Sequence, residues 1–303
     1  MTLHRQFTLK LLAALLLGLA MRVSAQIALK LEAGKQRYLC FEPVHVLLTV
    51  SNLSGNTLIF NGETPATKGS ISFRIDCSSG RNCKSIATLG NPADGLQLAP
   101  GESKTLDIII NQYYNFQRED TYNITAVLDH GRLPKKHLSF PVSIEVRDGI
   151  ILESKSIGLP SENGDDSVIK TLKVSLLRFS DVEEDIYAMR VEDLNYVYAT
   201  FRLGSYINGR PPQLEVDGNS LMHVLVQVRS RLFIYYIFNF KGRTVQLLQK
   251  RFYTSANGIS PVLSKEAGYF RVENGIPARE GVDYVELKDN RVQTADSPSD
   301  SVD

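Results

Sequence analysis

The chain contains no tryptophan, only three cysteines, and no surplus of either charge: 34 Lys+Arg stand against 33 Asp+Glu in 303 residues. That balance argues against a nucleic-acid binder, which needs a basic excess to displace counterions from phosphates. Three cysteines are too few for a disulfide scaffold, and a chain of this length buries a core without one. Long apolar runs are also scarce. Beyond residue 25 the richest stretch, 221–240, is interrupted by His223, Gln227, Arg229, Arg231 and Asn239. No transmembrane segment is therefore expected after residue 25, since a spanning helix takes roughly 20 apolar residues. Motifs of common chemistries are absent as well: there is no Gly-x-Ser-x-Gly elbow, no phosphate-cradling glycine loop and no His-Glu-x-x-His. Yet 22% charged residues with 13 Tyr and 13 Phe exclude a chain that is disordered throughout.

The N-terminus supplies the first positive signal. Arg5 and Lys10 precede an apolar run at 11–20, and Val23-Ser24-Ala25 follows. This order predicts a cleaved export signal over 1–25, with an apolar core too short to span a bilayer. Cleavage removes Arg5, Lys10 and Arg22 and no acid, which leaves acids in slight excess. No cysteine closely follows the apolar run, so a lipid anchor is not expected. The expected compartment is the periplasm or the extracellular space, where disulfides persist. Cys40, Cys77 and Cys83 allow three single pairings. The expected one is a local Cys77–Cys83 bridge, worth about 2 kcal/mol in the chain-entropy picture. None of these cysteines has a partner at metal-ligand spacing.

Between residues 26 and 147 apolar side chains alternate with polar ones. The runs are Val44-Val46-Leu48-Val50, Ile71-Phe73-Ile75, Leu106-Ile108-Ile110, Tyr122-Ile124-Ala126-Leu128 and Leu138-Phe140-Val142-Ile144-Val146. A period of two is the mark of half-buried antiparallel strands. Turn signals separate the runs, at 51–56, at Asn91-Pro92-Ala93-Asp94-Gly95 and at Ala99-Pro100-Gly101-Glu102. The expected fold of 26–147 is an antiparallel β-sandwich.

Glu42-Pro43 leading into the 44–50 run, Leu98-Ala99-Pro100-Gly101-Glu102, and Glu119-Asp120-Thr121-Tyr122 resemble bacterial immunoglobulin-like modules. In such modules a tyrosine sits in a corner two residues before a core position, and Tyr122 followed by Ile124 is similar. The inter-sheet cysteine pair and the buried tryptophan are lacking. The resemblance implies a fold and carries no activity with it.

A second antiparallel β domain, a meander or a sandwich, is expected over 148–288, with the boundary at Asp148-Gly149. Alternation returns at Leu172-Val174-Leu176, Tyr187-Met189-Val191 and Val197-Ala199-Phe201-Leu203. Two hairpins follow, 222–228 into 232–240 and 232–240 into 245–253. Pro212-Gln213-Leu214 with Gly218 is echoed by Pro261-Val262-Leu263 with Gly268, a spacing that resembles propeller blades. About 140 residues leave too little room for a closed propeller, which takes four blades or more. The polar tail 289–303 is expected to be disordered. The fold class is thus all-β.

Few residues stand out as candidates for chemistry. His45, His130, His137 and His223 have no second ligand nearby in sequence. His223 reads as a structural residue within a strand, and His130 and His137 read as solvated flanks of a loop. The acidic run Asp181-Val182-Glu183-Glu184-Asp185 lacks calcium-loop spacing and reads as a solvated turn. The aromatics of 233–240 read as core. Tyr113, Tyr114 and Phe116 lie together in a loop and are the candidate ligand-binding residues, because rigid amphipathic rings bring contact area at low entropic cost. No catalytic residue, metal or cofactor is expected. The expected function is non-catalytic binding, with another envelope or extracellular protein as partner. A glycan is the second candidate partner, and a hydrolase with dispersed carboxylates is a more distant reading.

Overall fold

The structure is a computed structural model that describes residues 26–285 except 65, 82, 84, 87–89 and 161–168. The export signal expected over 1–25 and the tail expected over 289–303 lie outside the described residues. Among the described residues there are 21 strands, one 3-10 turn at Ile110–Gln112 and no α-helix, so the all-β reading holds.

The strands are β1 (Ile27–Ala33), β2 (Arg37–Leu39), β3 (His45–Asn52), β4 (Leu58–Ile59), β5 (Gly69–Cys77), β6 (Gln97–Leu98), β7 (Ser103–Ile109), β8 (Asp120–His130), β9 (His137–Leu138), β10 (Val142–Arg147) and β11 (Ile150–Pro160). They continue with β12 (Ile169–Ser180), β13 (Asp185–Glu192), β14 (Val197–Ser205), β15 (Gln213–Val216), β16 (Met222–Arg229), β17 (Leu232–Lys241), β18 (Thr244–Ser255), β19 (Val262–Glu266), β20 (Tyr269–Glu273) and β21 (Gly275–Pro277). The sheets run β1-β3-β7, β2-β10-β8-β5 with β9 on β8, β11-β12-β13-β14 and β15-β16-β17-β18-β21, with the short pairs β4-β6 and β19-β20. Compactness divides the described residues into two units, one drawn from 26–33, 45–114 and 123–143, the other from 34–44, 115–122 and 144–285.

In the first unit β3 pairs antiparallel with β1 and with β7. Its Val46, Leu48 and Val50 are fully buried, and Ile71, Phe73, Ile124, Ala126 and Leu128 of β5 and β8 are buried too. Each of these side chains larger than Ala126 contributes roughly 1.5–3 kcal/mol through removal from water. The turn after β3 is built by the buried Asn52. Its Nδ2 donates to Asn56 O, Leu98 O and Ala99 O, and its Oδ1 accepts from Ser54 N. One side chain thereby satisfies backbone groups that the turn leaves without ladder partners. Gly69 opens β5 where a Cβ would stand 2.5 Å from the Phe60 ring and 2.6 Å from His130, so a side chain has no room.

The run 138–146 does not keep one face inward, as its alternation suggests. Ile144 and Val146 are buried, whereas Leu138 and Phe140 face solvent, Phe140 with 89% of its surface exposed. Ser139 breaks the phase: its N–H donates to Ala126 O, and its hydroxyl accepts from Ala126 N and donates to Phe140 O. Pro141 brings no N–H to the ladder, so β9 ends and β10 starts in a new phase.

The second unit holds two sheets around one core. Leu172, Val174 and Leu176 of β12 and Tyr187, Met189 and Val191 of β13 cluster with Leu214, Met222, Val224, Val226, Tyr236 and Phe238 of the β15–β18 meander. Alternation in β17 buries its other face as well, where Phe233 and Tyr235 cluster with Leu225 and meet Leu263 and Val272 of the β19-β20 hairpin. The aromatic strand is therefore core on both sides.

The second face of the β11–β14 sheet changes character along its length. At one end Leu177, Phe179, Ile186 and Ala188 cluster with Leu39 of β2. Glu42 fastens the covering segment: its carboxylate accepts from Arg202 Nε at 2.7 Å and Nη2 at 3.0 Å and from Leu39 N at 3.0 Å. Further along, the same face turns polar. In this unit Tyr122 also donates its hydroxyl to Arg118 O at 2.7 Å, four residues upstream.

Candidate functional site

Strand β5 is the last in its sheet, which leaves one row of its N–H and C=O groups without a strand partner. Such an edge is a template for a further strand unless something covers it. Here two side chains do. Asn91 Nδ2 donates to Gly69 O at 2.7 Å, and Asn91 Oδ1 accepts from Ile71 N at 3.0 Å. The next outward N–H, that of Phe73, donates to the Tyr114 hydroxyl at 3.0 Å.

Local sequence places both caps. Asn91-Pro92-Ala93-Asp94 forms a turn closed by Asp94 N to Asn91 O at 2.9 Å, with Asn91 Oδ1 also accepting from Ala93 N. Proline fixes φ just after Asn91, which holds the amide toward β5. Tyr113 and Tyr114 follow the 3-10 turn, whose buried Ile110 accepts both of their N–H groups, at 3.0 and 3.1 Å. Ile86 N in turn donates to Tyr113 O, and Ser85 bridges to Tyr114.

Between the β5 edge and these two loops lies a cavity of about 220 Å³. Ile71, Phe73, Pro92, Tyr113 and Tyr114 line it, with Ser70 and Ser72 among its lining hydroxyls. The Tyr114 ring stands edge-on to Phe73, 6.3 Å between centroids and 89° between planes. Among the described residues no charged side chain lines the cavity, and its described lining suits a small neutral group.

Of the three aromatics expected to act together, Tyr113 and Tyr114 meet at this cavity and Phe116 does not. Phe116 is 3% exposed and packs against Tyr122, with 4.7 Å between ring centroids and 55° between planes, so it is a core residue. Sequence reasoning missed Asn91, Pro92 and the β5 residues, reading the first two as ordinary turn formers. Asparagine beside proline near an edge strand was the available signal.

The expected Cys77–Cys83 bridge is corrected: no disulfide joins the two in the structure. Gly80 N donates to Cys77 O and folds the chain back on itself directly after β5, without bringing the two sulfurs into a bond. Cys40 is buried, and desolvation together with nearby Asp148 pushes its thiol up to about 11, far from the thiolate that chemistry needs.

His130 is not a solvated flank. It is 1% exposed, its Nδ1 accepts from Arg132 N at 3.1 Å and its Nε2 faces Ile59 O at 3.0 Å. A ring that accepts at Nδ1 and meets a carbonyl at Nε2 is a neutral Nε2–H imidazole with no nitrogen left for a metal or a substrate. The acidic run is not fully solvated either: Asp181 pairs with Arg202 and Asp185 with Arg178. Among the described residues no cluster of His, Cys, Asp and Glu has metal-binding geometry.

One chain of polar groups was invisible in the sequence. His223 Nδ1 lies 2.6 Å from the Tyr235 hydroxyl and Nε2 lies 3.2 Å from Asp217 Oδ2, all three side chains being buried. Phe270 of the β19-β20 hairpin covers the imidazole at 5.3 Å. Burial pushes the Tyr235 phenol up to about 12, the wrong direction for a nucleophile or base. Asp217 Oδ1 is taken by the N–H groups of Asn219 and Leu221. Asp217 Oδ1 thereby anchors the 217–221 turn, while Asp217 Oδ2 and His223 Nε2 face each other without a hydrogen bond.

No family model matches the chain, and no curated protein matches it. A solved structure described as a DUF4784 family protein from Bacteroides caccae is similar with a TM-score of 0.17 and 9% identity, over 84% of each chain. A likeness of that size carries no argument about fold or activity.

Proposed function

We propose that the chain is an exported, non-catalytic binding protein of the cell envelope or extracellular space, and that it acts by receiving one apolar side chain of a protein partner at the β5-edge cavity. One observation carries this reading: a neutral, aromatic-lined cavity sits where an edge strand meets the two loop tyrosines that the sequence singles out. Its volume of about 220 Å³ falls below the 300–1,000 Å³ of typical small-molecule sites and suits a single side chain. The Tyr114 hydroxyl is already engaged by Phe73 N, which leaves ring area rather than polar specificity for the partner. The immunoglobulin-like reading of the N-terminal part is supported by the Tyr122 hydroxyl bonded to Arg118 O, the geometry of a tyrosine corner.

The test is capture from the native host's envelope extract on immobilised residues 26–303, with and without untagged competitor. The wild type should enrich one protein. Ser72→Arg, which places a long charged side chain at an exposed position lining the cavity, should reduce that enrichment at least about tenfold. Equal capture by the variant would place the partner elsewhere.

A further inference from the structure

The sequence contains five Asn-Gly pairs: Asn61-Gly62, Asn163-Gly164, Asn208-Gly209, Asn257-Gly258 and Asn274-Gly275. Asn163-Gly164 lies outside the described residues. Such a pair is chemically reactive, because glycine has no Cβ to shield its backbone nitrogen from the side-chain carbonyl carbon of the preceding asparagine. Attack also needs the backbone between the two residues to rotate, and a paired or hydrogen-bonded backbone opposes that until it opens locally. The four described pairs differ in this respect.

Three of them are held. Asn61 is bridged to Lys68, and Gly62 N, which would be the nucleophile, donates to Thr67 O at 3.1 Å. Asn257 and Gly258 form a two-residue turn at φ 50° and 76°, closed by Ile259 N donating to Ala256 O at 2.8 Å. Asn274 O accepts from Ala256 N at 2.9 Å, and Gly275 pairs with Ser255 in β21 with the Tyr253 ring packed against it.

Asn208-Gly209 is not held. The link between β14 and β15 is fixed at both ends: Tyr206 N donates to Asp185 O at 2.7 Å, the Tyr187 hydroxyl donates to Ile207 O at 3.2 Å, and Pro211-Pro212 restrict φ just before β15. Between these ends Asn208, Gly209 and Arg210 are exposed, and among the described residues none of the three takes part in a hydrogen bond or ion pair. Gly209 also has ordinary space around it: an added Cβ would come no closer than 3.9 Å to Gln227 Oε1 and Ile207 Cγ2, and its φ lies outside the left-handed region.

We propose that Asn208 is a spontaneous modification site, at which the folded chain converts asparagine to aspartate and isoaspartate. Gly209 N gives its proton to solvent base and forms a bond to Asn208 Cγ. The bond from Cγ to Nδ2 breaks, and ammonia leaves after taking up a proton from water. Water then opens the cyclic imide at either carbonyl, giving aspartate or, with the backbone rerouted through the side chain, isoaspartate. Each event places a negative charge near Arg210, and the isoaspartate form lengthens the β14–β15 link by a methylene.

The site belongs to the second unit and does not rest on the β5-edge cavity, so its test leaves that reading untouched. Residues 26–303 are incubated in mildly alkaline buffer, and conversion at each pair is followed by peptide mass spectrometry, with isoaspartate confirmed by enzymatic methylation. In the folded protein Asn208 should convert at least about tenfold faster than Asn61, Asn257 and Asn274, and in urea the four rates should come together to within about threefold. Gly209→Ala, which the space around Gly209 admits, should slow conversion at Asn208 at least about tenfold and leave Asn257 unchanged. Three results would each overturn the proposal: equal rates at the four sites in the folded protein, a spread that persists in urea, or conversion at Asn208 that survives Gly209→Ala.

Discussion

At the scale of single residues, stability rests on a few side chains that stand in for missing backbone partners. Asn91 is the clearest. Its amide serves Gly69 O, Ile71 N and Ala93 N together, and Asn91→Ala should cost about 2–3 kcal/mol in urea denaturation, more than an ordinary surface substitution. Glu42 is the counterpart in the second unit. Glu42→Gln leaves the Arg202 guanidinium facing a neutral amide at a site only 6% exposed, and about 3 kcal/mol of stability should be lost by the same measurement. Neither role was legible in the sequence, where Asn91 reads as a turn former and Glu42 as part of a strand entry. Both depend on partners from other elements, 20 residues from Ile71 for Asn91 and 160 from Arg202 for Glu42. His130 was misread for the same reason: a histidine next to Gly131 and Arg132 looks solvated until Ile59 and Phe60 are known to cover it. Tyr113 and Tyr114 were legible because two adjacent tyrosines in a loop have no strand or helix face to fill.

At the scale of elements, period-two alternation identified the strands well and their inward faces less well. It placed β12 and β13 with their buried positions Leu172, Val174, Leu176, Tyr187, Met189 and Val191, and it placed the β16–β17–β18 hairpins. It failed across β9 and β10 because Ser139 and Pro141 reset the phase between them, so Leu138 and Phe140 point outward. The covering of β5 is likewise a property of an edge, which alternation does not report. It makes a specific prediction. Tyr114→Phe removes the acceptor for Phe73 N, and amide exchange at Phe73 should accelerate at least about fivefold while Val50, deep in β3, is unchanged. Equal rates in the variant would mean that the hydroxyl protects nothing.

At the scale of the whole molecule, the charge pairs set how stability responds to acid. The Arg37 guanidinium holds the Glu145 carboxyl below its ordinary value of 4.5, and Arg178 holds Asp185 below 3.8. Unfolding returns both to ordinary values, so between the ordinary and the lowered values the unfolded chain binds more protons. Their stabilisation is complete above about pH 4.5 and is lost as pH falls through the lowered values. Glu153 runs the other way, because burial raises its carboxyl: it begins to oppose folding as pH rises past the ordinary 4.5 and does so in full above the raised value. The lowered carboxyls of Glu145 and Asp185, with that of Glu102 lowered by the Ala99 N–H, predict a urea midpoint that drops as pH falls below 4.5. Arg37→Met should lower the midpoint by the equivalent of about 1 kcal/mol at pH 7 and flatten the acid limb.

The central claim is that contact with a partner runs through the β5-edge cavity. Its most direct measurement is a photocrosslinking residue placed at Tyr113, compared with the same residue at the exposed Leu248 of β18, in the native host. A single protein adduct formed from position 113, absent from 248 and abolished by adding Ser72→Arg, is the predicted result. No adduct from 113, or the same adducts from both positions, would contradict a binding role for the cavity.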